Sequence, residues 1–294
     1  MVHGFPVGDA GEQGRDPQHP GGPPPPGLDV SVPHPARVWN YWLGGRDYFA
    51  ADRAAGEQIG SQFPHVAEIA RAQRAFLVRA VRFLAGPARL RQFLDLGAGL
   101  PAGGNTHEIA QRIAPDSRVV YADNDPAVLR HAAALLGDPM PAGSPWGAVR
   151  YIDADVRDVA AVLARAAATL DFARPAALIM LGILGHVEDY GAARSIASQL
   201  AGALAPGSYV AIADGVTTSE AVRAAQQRYN KTAPVPYQLR RPDELAGLFA
   251  GLDLIDPGVV PCPRWKPDAG AGGPGGAGGP GSEAAAYCGV ARKP

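Results

Sequence analysis

The 294-residue chain is 47% hydrophobic and 19% charged with a formal net charge of -1, enough for one large domain or two. That charge balance offers no electrostatic case for nucleic acid or an anionic membrane as a partner. Two cysteines, Cys262 and Cys288, are too few for a disulfide framework and lack metal or redox spacing, so they read as reduced thiols of a cytoplasmic protein.

Residues 1–30, with the run PGGPPPPG, have too little apolar surface to offset the entropy of ordering and read as a disordered tail. Residues 31–90 carry RVWNYWLGGRDYFAADR, whose aromatics exceed what an amphipathic helix entering a core needs. This segment is expected to form helices that fold over the domain as a lid. Strand and helix patterns then alternate through residues 91–294. RQFLDLG, RVVYADND, AVRYIDADV, AALIML and GSYVAIADG read as strands. Helices are expected from Asn105 or Thr106 to Pro115, from Pro126 to Gly137, over RDVAAVLARAAATL, from about Tyr190 to Leu204, and from about Ser219 to Tyr229. The most apolar run, Ala176 to Leu184, is far shorter than the roughly 20 residues a membrane-spanning helix needs.

Strands alternating with crossover helices imply an α/β, doubly wound, Rossmann-like parallel sheet covered on both faces. After the helix RPDELAGLFAG, the segments LDLIDPGVV and AYCGVARK have no helix between them and are expected to pair antiparallel at the sheet edge. Between them, residues 267–283 are a Gly/Pro-rich stretch that reads as a loop insertion.

In such sheets ligands bind at the carboxyl ends of the strands, and the first strand-to-helix turn supplies the contact. Here that turn is Asp95-Leu96-Gly97-Ala98-Gly99. Gly97 and Gly99 allow a sharp bend and a close backbone approach to a ligand. Asp95 would repel a pyrophosphate but favours a cationic amino group or sulfonium, which points to S-adenosylmethionine rather than a dinucleotide. Asp123, followed by Asn124, ends the second strand, where a carboxylate can accept both ribose hydroxyls. Asp155 follows the third strand and can accept from an adenine amine, with the Val156 N–H available to a ring nitrogen. Each of these acids could instead cap a helix or start a turn. No histidine or acidic cluster stands at metal-ligand spacing, so no metal is expected.

With PHPARVWNYWLGGRDYFAADRAAGEQI, FLDLGAGLPAGGNTHEIA, VVYADNDPAVL, MLGILGHVED and YCGVARK in order, the chain from about Pro33 to Lys293 resembles the actinobacterial S-adenosyl methyltransferase family once catalogued as a domain of unknown function. That family lies within the class I S-adenosylmethionine-dependent methyltransferases. The resemblance implies a seven-stranded sheet with an antiparallel last strand, S-adenosylmethionine as cofactor, and methyl transfer to an oxygen or nitrogen of a small-molecule acceptor. Gly185 departs from it, standing where histidine is common and leaving His186 alone.

Methyl transfer needs positioning and, for some acceptors, a base. His186, after the fourth strand, is the candidate base, against a structural capping role. Tyr41 and Arg46 are expected to touch the methionine carboxylate or the acceptor, unless the aromatics only pack the lid. Tyr229, Asn230 and Tyr237 are candidate substrate contacts. Two other functions share parts of this pattern: a non-catalytic S-adenosylmethionine sensor, and a nicotinamide-dependent oxidoreductase, which Asp95 and the terminal hairpin disfavour. The sequence assigns no oligomeric state.

Overall fold

The computed structural model describes residues 29–63, 65–100, 104–126, 128–130, 147–217, 220–231, 236–266 and 285–294. The expected tail up to residue 28, the helix expected up to Gly137 beyond residue 130, and the 267–283 insertion lie outside the described residues.

Three helices precede the sheet: α1 (Pro35–Trp42), α2 (Ala50–Gln62) and α3 (Val66–Ala85). Proline opens α1 and the His34 ring accepts from the Ala36 N–H, so that start is locally encoded. In α3, Ile69, Gln73, Phe76, Ala80 and Leu84 recur at helical spacing and are buried, which lays this helix along the sheet. The sheet strands are β1 (Gln92–Leu96), β2 (Arg118–Asp123), β3 (Val149–Asp153), β4 (Ala177–Leu181), β5 (Tyr209–Gly215), β6 (Asp253–Leu254), β7 (Val260–Pro261) and β8 (Ala286–Arg292). The remaining helices are α4 (Thr106–Ile113), α5 (Val159–Ala166), α6 (Tyr190–Ala203), α7 (Glu220–Asn230) and α8 (Pro242–Gly247). No helix among the described residues is long and apolar enough to cross a membrane.

The strand order is β3-β2-β1-β4-β5-β8-β6, with β7 also on β8. β1 to β5 run parallel, and β8 lies antiparallel to β5 over seven residue pairs. The expected antiparallel ending is present, but β8 is inserted inside the edge. The edge itself is one strand broken into β6 and β7, so eight strand segments stand where seven strands were expected. The Ile255 N–H still pairs with the Val290 carbonyl, after which Pro257, with no N–H to donate, and a turn at Gly258 interrupt the ladder.

Alternation along β1 sorts the two cores. Leu94 and Leu96 face α5, α6 and α8; Phe93 faces α3 and α4. Asp95 shares the parity of Phe93, so its carboxyl is turned toward α3 and α4, in register with Tyr121 and through it Tyr151.

The N-terminal helices are tied together by one carboxylate. Asp52, fully buried, accepts from the His34 N–H (2.8 Å), from Arg37 Nε (2.7 Å) and from the Phe49 N–H (2.8 Å). The Arg37 guanidinium also donates to the Val32 carbonyl at 2.7 Å. Removing one partner of a buried pair strands the other charge, so Asp52→Ala should cost about 3–5 kcal/mol. Urea denaturation at neutral pH checks this, and a loss under about 1 kcal/mol would show that the cluster does not hold these helices together.

Candidate functional site

A single cavity of about 560 Å³ opens at the carboxyl ends of β1 to β5 beneath α1, α2 and α3. Asp95, Gly97, Ala98, Gly99, Asp123, Asn124, Asp155 and Val156 all line it, as do His186 and Tyr237. The turn after β1 has the backbone its glycines imply: φ is +69° at Gly97 and +62° at Gly99. At Gly97 a Cβ would come within 2.7 Å of the Ile183 side chain, whereas the corresponding space at Gly99 is open. The exit of this turn, residues 101–103, lies outside the described residues.

Asp95 is buried and accepts from the Thr106 hydroxyl at 2.7 Å. Burial raises its carboxyl to about 6, against the opposing pull of the Thr106 hydroxyl and Arg74. Asp123 accepts from the Gly99 N–H (2.9 Å) and the Asp125 N–H (3.0 Å), which ties the glycine turn to the end of β2. Burial raises its carboxyl also, with those two N–H groups opposing. Asp155 is held below the ordinary carboxylate range chiefly by Arg157, whose guanidinium reaches it at 2.5 Å, and it accepts from the Asn124 amide at 3.1 Å.

Helix α1 borders this cavity through Trp39 and Trp42, and neither Tyr41 nor Arg46 lines it. Residues 39 and 42 share a face of α1, while Tyr41 is turned away and packs edge-on against Tyr48 at 5.1 Å. Arg46 is exposed and borders a separate depression. His34 Nδ1 accepts from the Ala36 N–H, so Nε2 carries the proton and meets Asp125 Oδ2 at 2.9 Å, joining the start of α1 to the loop after β2.

Three lining or supporting residues were not singled out as site residues in the sequence. Asn40 is buried with its amide oxygen accepting from the Asp47 N–H, and its amide nitrogen has no hydrogen-bond partner among the described residues. Arg74 lines the cavity beside Asp95 and donates to Asn105 Oδ1 at 2.9 Å; burial lowers its pKa. Asp214 ends β5 behind Tyr237, buried, with its carboxyl raised to about 7 by burial, Arg240 opposing. An acid at the end of strand VAIADG repeats the pattern of Asp123 and was visible in that sense. Arg74 sits in a helix whose local sequence announces nothing, and Asn40 lies in the aromatic segment without a signal that distinguishes it from its neighbours.

His186 occupies a short 3-10 turn after β4. Its Nδ1 lies 3.1 Å from the Pro236 carbonyl, which can only accept, so Nδ1 is the protonated nitrogen and Nε2 keeps its lone pair. Burial lowers its pKa, favouring the neutral ring. Glu188 is exposed, and Asp189 caps α6 by accepting from the Ala192 N–H. Gly185 is explained by packing: a Cβ there would stand 2.3 Å from Cζ of the Tyr237 ring. Asn230 lies at the end of α7 and holds the Tyr237 backbone, its oxygen accepting from the Tyr237 N–H at 3.0 Å and its nitrogen donating to the carbonyl at 2.8 Å. The Tyr229 side chain lies outside the described residues. Among the described residues no group of three or more histidine, cysteine, aspartate or glutamate side chains could hold a metal ion.

A parallel sheet with this strand order and an antiparallel insertion, a left-handed glycine turn, and acids after successive strands define a class I methyltransferase fold with a cavity at the carboxyl ends of its strands. The chain belongs to the S-adenosyl methyltransferase family, whose model matches residues 22–294. It is similar, at 39% identity and a TM-score of 0.80, to a protein of the domain-of-unknown-function 574 family from Streptomyces avermitilis, with 90% of this chain and 99% of that one covered. It is also 39% identical to a candidate methyltransferase from Thermobifida fusca, with a TM-score of 0.79 and 92% and 98% covered. Magnesium protoporphyrin IX methyltransferase from Synechocystis, solved with S-adenosylhomocysteine, shares the fold at 10% identity and a TM-score of 0.50, with 87% and 93% covered. None of the curated proteins matches the sequence. The protein is an S-adenosylmethionine-dependent methyltransferase.

The residues present fit that cofactor. The turn leaves open space above Gly99, and carboxylates stand at the ends of β1 and β2. The unpartnered Asn40 nitrogen also belongs to the cavity wall, a donor suited to a carboxylate.

Gly97→Ala combines a left-handed φ with a collision at Ile183, so it should weaken S-adenosylhomocysteine binding at least tenfold by calorimetry, about 1.4 kcal/mol. Tyr41→Phe and Arg46→Ala, both away from the cavity, should leave that affinity within about twofold. Asp95 and Asp214 bind a proton more tightly folded than unfolded, since their values of about 6 and about 7 exceed 3.8. Their contribution to stability is therefore full below about pH 4 and is lost as pH rises through 6 to 7. Asp95→Asn should flatten the decline of apo-protein stability over that window in urea titrations.

Proposed function

We propose that this enzyme methylates an oxygen or nitrogen of a small molecule, with the cofactor lying across the ends of β1 to β3 and the acceptor at the ends of β4 and β5. The observation that carries this assignment is the continuity of one cavity from Asp95, Asp123 and Asp155 to His186 and Tyr237. In it the Gly97-Ala98-Gly99 backbone lies against the amino-acid tail, and Asp123, beside Asn124, accepts from the ribose hydroxyls. Asp155 and the Val156 N–H address the adenine. Asn40 and Arg74 hold the tail carboxylate, roles that the burial of Asn40 and the half-buried position of Arg74 beside Asp95 in the cavity wall support. When bound, S-adenosylmethionine supplies an electrophilic methyl on a sulfonium, and the chain's task is to align the acceptor and remove its proton.

Residues 31–90 act as a lid on the methyltransferase domain, 91–294, and Trp39 and Trp42 exclude water from the site. His186, with a lone pair on Nε2, is one candidate for the acceptor's proton. The enclosure beneath the lid supports a small molecule over a macromolecule as acceptor. The Streptomyces and Thermobifida relatives support an actinobacterial origin, and the two free, buried thiols support a cytoplasmic setting.

Calorimetry against S-adenosylhomocysteine and NAD tests the cofactor half: the first should bind and the second should not. Asp123→Ala should lower S-adenosylhomocysteine affinity by tenfold or more, and an unchanged affinity would remove Asp123 from the ribose site. Incubation with methyl-labelled cofactor and a size-fractionated cell extract tests the acceptor half. Label is expected in the small-molecule fraction, and label confined to protein or nucleic acid would refute the small-molecule assignment.

A further inference from the structure

The end of the cavity formed by β4, β5 and the segment after α7 takes no part in holding the cofactor under the assignment above. Its wall is Ile183, His186, Gly215, Tyr237 and Leu239, with α2 packed against α7 nearby. Tyr237 is fixed more firmly than a loop side chain needs to be. Asn230 bonds both its N–H and its carbonyl, Gln226 donates to the same carbonyl at 3.0 Å, and its ring lies on Gly185 and edge-on to His186 at 5.0 Å. Its hydroxyl donates to Asp214 Oδ1. The Gly215 N–H donates to the same carboxyl oxygen at 3.1 Å and approaches the Tyr237 oxygen at 3.3 Å.

Asp214 is 1% exposed; the backbone N–H groups of Gly215 and Gly185 oppose the rise of its carboxyl, and its second oxygen makes no hydrogen bond of good geometry among the described residues. The neighbouring Arg240 directs two nitrogens at the carbonyls of Leu184 (2.8 Å) and Val187 (2.5 Å), where it fixes the turn bearing His186. A buried carboxyl with one oxygen short of a good hydrogen bond, behind a cavity-lining hydroxyl, is a proton's destination rather than a structural ion pair.

We propose that Tyr237, backed by Asp214, is the catalytic proton acceptor, and that the methyl acceptor is an uncharged molecule presenting a hydroxyl on an apolar body. The proposal rests on the assignment of this end of the cavity to the acceptor. As the acceptor oxygen forms its bond to the methyl carbon, the carbon–sulfur bond breaks and its electron pair stays on sulfur. The acceptor's O–H bond breaks in the same step: its proton passes to the Tyr237 oxygen, and the proton already on Tyr237 passes to the Asp214 carboxylate. Tyr237 ends as a neutral phenol, Asp214 as a carboxylic acid, and the proton then leaves to solvent. Of the two groups with a lone pair at this end, His186 is made a weaker base by burial, whereas Tyr237 has a proton acceptor directly behind it.

The acceptor class follows from the placement of charge. The Arg and Asp side chains that line the cavity among the described residues, Arg74, Asp95, Asp123, Asp125, Asp155 and Arg157, come from α3 or the ends of β1 to β3. Among the described residues no Lys, Arg, Asp or Glu from β4, β5, the segment after α7 or the lid residues Trp42, Ile59 and Phe63 lines the cavity, so its acceptor end offers no lining charge to pair with a carboxylate or ammonium. A hydroxyl oxygen is also a weak nucleophile until its proton is withdrawn, so it needs a base in the transfer step, whereas a neutral amine nitrogen can attack first and lose its proton afterwards.

Three probes of one shape, 2-naphthol, 2-naphthylamine and 2-naphthoate, separate the classes with methyl-labelled cofactor. Label is expected on 2-naphthol at ten or more times the rate of the other two. Tyr237→Phe should lower kcat about 100-fold, the scale of a general base. Asp214→Asn should lower kcat with KM for 2-naphthol and affinity for S-adenosylhomocysteine both within about threefold, a split that simple loss of packing would not produce. Undiminished turnover in Tyr237→Phe, a large loss in His186→Gln without one in Tyr237→Phe, preferential label on the amine or the acid, or no label on any probe while S-adenosylhomocysteine binds would each overturn the proposal. Failure of S-adenosylhomocysteine to bind the unaltered protein would instead overturn the cofactor assignment beneath it.

Discussion

The carboxyl end of β1 is where the site is organised, and it depends on one close approach. Gly97 turns left-handed with the Ile183 side chain against its α-carbon, at a distance no other residue permits without displacement. This contact draws the end of β4 to the end of β1. The turn that follows Ile183 then carries Gly185, on which the Tyr237 ring lies, and His186, which meets that ring edge-on. The parts of one cavity at the ends of β1 and β4 are thus connected by packing through two glycines. A substitution at either would displace these two parts of the cavity wall relative to each other before touching any polar group.

Burial of charge gives the same region its electrostatics. Asp95 faces α3 because it alternates with Leu94 and Leu96, and its neighbours there are Thr106 and Arg74. The resulting carboxyl, raised to about 6, is less anionic than an exposed aspartate would be, and a cationic ligand group would draw it back to the charged form. The N-terminal helices are organised by the opposite arrangement: Asp52 is fully buried but saturated by Arg37 and two backbone N–H groups. One buried carboxylate is paired and holds structure; another, Asp214, has one oxygen without a hydrogen bond of good geometry among the described residues, behind the cavity-lining Tyr237.

Much of this was legible along the chain. The alternation of RQFLDLG, RVVYADND and AALIML with helices is sufficient for the parallel sheet, and Gly97 and Gly99 announce the turn because only glycine adopts that backbone cheaply. Asp123 and Asp155 were readable because each follows a recognisable strand. Tyr41 and Arg46 were harder: aromatic density identified the segment, but which aromatic faces inward depends on the rotation of an eight-residue helix, and that rotation is set by the Asp52 cluster eighteen residues from His34. The split of the edge strand into β6 and β7 was likewise local in cause, at Pro257 and Gly258, but visible only once β8 supplied the ladder that those residues interrupt.

By itself, then, the sequence determined the fold class, the glycine turn and the acids at the ends of β1 to β3, since strand periodicity, backbone permissiveness and charge are properties of residues and their near neighbours. Tertiary structure alone decided that Trp39 and Trp42 close the cavity, that Arg74 and Asn40 border it, and that Tyr237 meets Asp214 across 23 positions of chain. Those relations come from packing between elements, where distance along the chain carries no information about distance in space.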